Sequence, residues 1–347
     1  MQDSRALAVA SRALRATEAP APAVVAQDAG PVRLPPFRVL VPLTLGFALL
    51  AAAISLAHGV PLPWPSERIN PALGFHAAWP LAIAFAAYLV LRLIQLARVS
   101  GSRRRLLAES AGDCAFLLLF AVASYFHFLL KLELPILRSG WHDALYMALD
   151  RRFAGLLAVM AELRRMIAAF LPRADLWYQG SQIGIYLLSF WGHSLGERRW
   201  YPCVATAFLL NIILGPLAYA LAPAVGPFVF EHGPNLAADA AQGIMGQIHE
   251  LVRTQGAAWL ARHAGEHLTA APAAMPSLHL SAACIGSYFA LRARLRVAWL
   301  ILPMAAWIAL EAVVARWHYL VDLPAGALFA ALVIALSHLI APPASGN

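Results

Sequence analysis

The chain has almost no lysine: Lys131 is the only one in 347 residues. Charge of either sign is scarce at 13%, against about 25% in a soluble domain. That shortage excludes an ordinary soluble fold, whose surface is built largely from charged side chains. The net charge of +8 comes from arginines in short segments between apolar runs. This is the pattern of membrane topology and not of a nucleic-acid footprint, so no nucleic-acid partner is expected. Cysteine is scarce too. Cys114, Cys203 and Cys284 lie far apart, in or beside apolar stretches, which excludes a disulfide framework and metal-type spacing. They read as small packing residues.

What the chain has in excess is apolar residues, 61% of the total. They arrive in runs of about twenty, the length that crosses a hydrocarbon core. Eight spans are expected: Phe37–His58, Ala77–Leu96, Asp113–Leu132, Leu176–Leu195, Cys203–Ala222, Ser277–Leu295, Val297–Ala315 and Leu323–Ile340. The fold class is therefore all-α, a polytopic membrane helix bundle of about eight spans. Four regions follow: a disordered tail over 1–36, N-terminal transmembrane helices over 37–134, an interfacial amphipathic segment over 135–175, and a core over 176–341. The core includes a long outer loop, 223–275, with a helix expected near Ala240–His263.

Arginine placement orients the spans. Arg33 and Arg38 precede the first, Arg98 and Arg103–Arg105 follow the second, Arg198 and Arg199 follow the fourth, and Arg292, Arg294 and Arg296 follow the sixth. With eight spans all these clusters fall on one side, the cytoplasmic side by the positive-inside bias, and both termini with them. The segment 135–175 strains this count, since it would be outside yet holds Arg151, Arg152, Arg164, Arg165 and Arg173. Leu156, Leu157, Met160, Leu163 and Ile167 recur there at helical spacing, so a helix lying in the interface is expected.

Two strings carry chemistry: Met275-Pro276-Ser277-Leu278-His279 and Arg316-Trp317-His318-Tyr319-Leu320-Val321-Asp322. Each sits at the end of an apolar run, and the topology brings both to the outer face. Proline suits a first helical turn, whose free N–H groups attract anions. Ser277 adds a hydroxyl there, and His279 projects from the same turn. His318 and Asp322 are four apart, on one face of a turn, where a carboxylate orients an imidazole. Pro223 to Pro227 ends the fifth span and stands at the same face. Read alone, each string also fits a capped helix start or a structural pair.

The strings in this order resemble the second and third signatures of the type-2 phosphatidic acid phosphatase superfamily. The form PSLH with HYLVDLPAG, after ALAPAVGP, is most similar to its inositol phosphorylceramide synthase-like branch. The resemblance implies a phosphatase-like core in the C-terminal part and roles for matched positions. His318 would be the nucleophile that becomes a phosphohistidine, Asp322 would hold it, and His279 would serve as general acid and base. Ser277, Arg316, Tyr319 and Pro227 are the candidate substrate contacts. No cofactor or metal is implied. The lysine and arginine of the family's first signature are missing here, and Glu311-Ala312 stand where its third signature has Ser-Arg. Arg316 is the nearest substitute cation.

The expected function is phosphoryl chemistry on a membrane phospholipid or lipid phosphate, with a lipid alcohol or water as acceptor. Transfer to lipid would make the chain a synthase, and transfer to water a plain lipid phosphate phosphatase. A transporter or flippase is the reading from another class, and a metal site on His279, His318 and Asp322 a third. The arginine-rich, lysine-poor composition fits a GC-rich bacterial source, hence an inner membrane with the site facing the periplasm.

Overall fold

The computed structural model describes residues 32–76, 78–98, 103–171, 173–196 and 198–343. The segment read as a tail lies outside the described residues up to position 31. Among the described residues there are twelve α-helices and no strand. They are α1 (Phe37–Ala57), α2 (Ala78–Arg98), α3 (Arg103–Leu137), α4 (Asp143–Arg152), α5 (Ala154–Ala168), α6 (Trp177–Trp191), α7 (Tyr201–Leu221), α8 (Leu236–Gln255), α9 (Ala257–His263), α10 (Leu278–Arg292), α11 (Ala298–Val314) and α12 (Asp322–Ile340).

Five of these, α1, α2, α3, α7 and α12, are long and apolar enough to cross a membrane. The chain is an all-α integral membrane bundle. The burial of two helices shows how it is layered. The apolar window of α7 is 72% buried and that of α2 only 17%. A helix that is apolar all round and buried belongs to the core; one that stays exposed in a bilayer protein faces lipid.

The fourth, sixth and seventh expected spans are shorter than the rest: α6, α10 and α11 have 15, 15 and 17 residues. At about 1.5 Å per residue none covers a hydrocarbon core of about 30 Å by itself. The reason is local. Ser277 caps α10 just after Pro276, α11 gives way to a turn at Ala315, and α6 runs on into a π-turn over Gly192–Gly196. Helices α10 and α11, which adjoin the two strings, are thus shorter than the five long spans.

Helix α10 is the hub. It packs on α6, α7, α11 and α12, through Ala282, Ile285 and Phe289 on one side and Ala283 and Ala290 on the other. Gly286 lets α6 approach: a Cβ there would stand 2.7 Å from Ile185 Cγ2.

At the far end of the bundle Asp113 is fully buried between two arginines. Arg92 Nη2 and Arg198 Nη2 donate to it at 2.9 Å each, and the Tyr88 hydroxyl at 2.5 Å. Arg198, expected as a loop charge, is therefore half of a buried clamp that fixes α2 and α3 to the turn before α7. Burying such charges is tolerable only when they are paired and hydrogen-bonded.

Between α3 and α6 the chain forms two helices, α4 and α5, breaking at Phe153. Arg164 points inward, and its Nε donates to Glu311 Oε2 on α11 at 3.1 Å. It also pairs with Asp175, while Asn235 Nδ2 donates to Glu311 Oε1 at 2.6 Å. Glu311, a carboxylate near the end of the seventh expected span, is thus paired with Arg164 of α5. Leu156, Val159, Leu163 and Phe170 are exposed on the other side of this region. The loop 223–275 holds α8 and α9, with Asn235 capping α8 by accepting the Ala238 N–H at 2.9 Å.

Candidate active site

Both strings lie at one end of the bundle, where α10 begins, α11 ends and α12 begins. Ser277 caps α10: its Oγ accepts the Leu280 N–H at 3.3 Å, and its own N–H donates to the Asp322 carbonyl at 3.2 Å. The start of α12 lies directly on this cap. At Gly326 a Cβ would stand 2.5 Å from the Ser277 carbonyl oxygen, so any side chain would push the strings apart. The Leu278 and His279 amides have no helical partner, as at any helix start.

His318 follows a sharp reversal after α11, in which Arg316 takes a left-handed φ of 60°. The His318 N–H donates to the Ala312 carbonyl at 2.8 Å. Its ring Nδ1 faces two acceptors, the Ala274 carbonyl at 2.8 Å and Asp322 Oδ2 at 3.3 Å. Only a protonated nitrogen satisfies two acceptors, so the proton sits on Nδ1 and the lone pair on Nε2. Asp322 Oδ2 also accepts the Tyr319 N–H at 2.9 Å, while Oδ1 is buried without a partner. The His279 ring lies 6.1 Å from the His318 ring, inclined at 65°. Tyr178, from the first turn of α6, lies 5.1 Å from the His279 ring at a tilt of 35° and stacks on Trp317 at 6.1 Å, and its hydroxyl is buried and unpartnered.

The long loop is tied shut at its neck beside this site. The Ala274 N–H donates to the Ala224 carbonyl at 2.8 Å, and the same residue's carbonyl holds His318. The neck is braced from α4. Asp143 accepts the Val225 N–H at 3.0 Å, the Gly226 N–H at 2.9 Å and the Tyr319 hydroxyl at 2.8 Å.

The other expected contacts are placed differently. Arg316 does not stand free for a phosphate: its guanidinium is committed to Asp150 at 3.4 Å and to Glu231. Burial pushes this guanidinium down and the Asp150 carboxyl up, and in each the partner's charge opposes that shift. The Leu320 N–H, donating to Asp150 at 2.9 Å, helps hold the carboxylate charged. The Tyr319 ring is fully buried and its hydroxyl is spent on Asp143, so it anchors the loop instead of offering a donor. Burial and the nearby Asp143 both push that hydroxyl's pKa up. Pro227 is buried at the start of a 3₁₀ turn, next to a Gly226 that lies against the Trp317 carbonyl. The residues not foreseen are Asp143, Asp150 and Tyr178. The two acids looked like ordinary polar positions of an amphipathic helix, and Tyr178 like a core aromatic.

A family model for the PAP2 superfamily matches residues 159–336. The chain belongs to the PAP2 superfamily. Neither a curated protein nor a solved structure matches it. The PAP2 match runs from within α5 to within α12 and contains both strings, whereas α1 to α4, with Asp143 and Asp150, lie before it. PAP2 membership supports phosphatase or phosphotransferase chemistry on lipid phosphates.

Proposed function

We propose that the chain is a membrane lipid phosphotransferase that works through a phosphohistidine, in the manner of the inositol phosphorylceramide synthase-like branch. One observation carries the reading: His318 Nδ1 is held by two acceptors, which leaves Nε2 as a nucleophile. In the first step Nε2 attacks phosphorus, an N–P bond forms, and the P–O bond to the leaving group breaks. His279, as imidazolium, gives its proton to the leaving oxygen. In the second step neutral His279 takes the proton of an acceptor hydroxyl as its oxygen attacks phosphorus and the N–P bond breaks. Ser277 and the free amides of the α10 first turn receive the phosphoryl oxygens. Asp322 and the Ala274 carbonyl stabilise the charge that builds on His318.

The acceptor in this reading is a lipid alcohol, and the product a new lipid phosphodiester. Two features favour it over plain hydrolysis: His318 is buried against the neck of the helical loop, and the family's usual cations are absent from their positions. The arginine clusters support a non-cytoplasmic site with both termini inside, in a bacterial inner membrane facing the periplasm. The test is a reconstituted assay with a headgroup-labelled phosphodiester lipid and a ceramide or diacylglycerol acceptor. Label in a new lipid is expected, together with acid-labile, base-stable label on the protein. Both should vanish in His318→Gln, and turnover in His279→Gln. Label released only as water-soluble phosphate would replace the synthase reading with a phosphatase; normal turnover in either variant would end the mechanism.

A further inference from the structure

Lys131 lies on α3, outside the matched region, four residues after His127. Among the described residues its ammonium has no ion pair and no hydrogen bond; its contact is the face of Tyr219, 5.6 Å from the ring centroid. An unpaired ammonium inside a membrane bundle is costly, and such residues mark functional sites. Its surroundings point to the ligand. Lys131 lines a narrow recess with Pro135, Ile248, His249, Ala271 and Pro272. His249 Nδ1 is buried there without a partner. Ala271 and Pro272 lead into Ala274, which holds His318. One turn beyond Lys131, Leu134 packs with Tyr219 and Leu278, the neighbour of His279.

We infer that Lys131 is the anion-binding residue of this site: it takes an oxyanion of the substrate's phosphorylated headgroup, with His249 lining the same recess. This rests on the phosphoryl-transfer reading and deepens it. It supplies from α3 a positive charge that Arg316, tied to Asp150 and Glu231, does not supply.

The experiment uses the full chain in detergent and two probes, inorganic phosphate binding by calorimetry and turnover of a short-chain phosphatidic acid or labelled phosphodiester. Lys131→Gln and Lys131→Met are expected to weaken phosphate binding, raise KM, or both, by about 10- to 100-fold, the size of a lost charge-assisted hydrogen bond. Lys131→Arg, which keeps the charge, is expected to stay within about threefold of wild type. Loss of phosphate and lipid binding together places the ammonium on the transferred phosphoryl group; loss of lipid binding alone places it on the rest of the headgroup. If Lys131→Met fails to fold, Lys131→Gln carries the comparison. Unchanged phosphate affinity and unchanged KM in an active protein overturn the inference and leave the phosphoryl-transfer reading intact. A wild type that neither binds phosphate nor turns over either lipid removes that reading, and this inference with it.

Discussion

Asp143 and Tyr319 are 176 positions apart and share a hydrogen bond of 2.8 Å. One carboxylate thereby ties the residue after His318 to the neck of the outer loop, whose Val225 and Gly226 amides it also accepts. Tyr319→Phe removes one bond and leaves Asp143 with two donors; it should cost about 1 kcal/mol. Asp143→Ala strands three buried donors and should cost about 3 kcal/mol or more. Thermal unfolding in detergent checks the order. Equal losses in the two variants would mean that Asp143 does not brace the neck.

Asp322→Asn separates orientation from charge. In a serine-protease triad the equivalent change costs about 10⁴ in rate because the wrong tautomer results. Here the Ala274 carbonyl holds the Nδ1 proton independently, so the tautomer survives and the charge alone is lost. A drop of about 10²- to 10³-fold in kcat is expected, with KM little changed. Single-turnover kinetics decides, and a full 10⁴-fold loss would mean that the carbonyl does not share the work.

Arg316 should behave as a structural residue. Arg316→Ala leaves Asp150 buried and unpaired, which costs about 3–5 kcal/mol. Glu231→Gln should cost far less, because Glu231 is 49% exposed and exposed pairs contribute about 0–1 kcal/mol. Restoration of stability by a double Arg316→Met, Asp150→Leu replacement would confirm that the pair serves packing. A phosphate affinity that falls with Arg316→Lys while stability holds would return Arg316 to the substrate.

Chelation tests the metal alternative. Among the described residues no group of three or more His, Cys, Asp or Glu side chains is placed to hold a metal ion. Turnover after exhaustive treatment with EDTA should equal untreated turnover, measured by product release. A loss reversed by adding back a divalent cation would point to a metal-assisted route.

The contrast between what could be read along the chain and what could not has a physical basis. The long helices were legible because a bilayer imposes length and apolarity on each span separately. The contact of His318 with Asp322 and the cap at Ser277 were legible because each depends on neighbours within a turn. The pairing of Arg316 and the bracing by Asp143 escape such a reading for the same reason. Their partners are far away in sequence, and nothing local announces a salt bridge to Asp150 or a brace to Tyr319. The Ala274 carbonyl was beyond reach altogether, since every residue has a backbone oxygen and its identity carries no signal. The short site helices were read too long because hydropathy does not register a helix that stops early to make room.

The stitched neck of the outer loop has a further consequence. Its two ends are fastened to each other at Ala224 and Ala274, and the second of these also holds the His318 ring. The segment between these ends is fastened as well: Asn235 Nδ2 donates to Glu311 Oε1 at 2.6 Å and Gln242 Nε2 to the Ala315 carbonyl at 2.7 Å. The loop is thus anchored both at its neck and along its first helix, so a graft that changes it has to bring these anchors along if the end of α11 is to stay where it is.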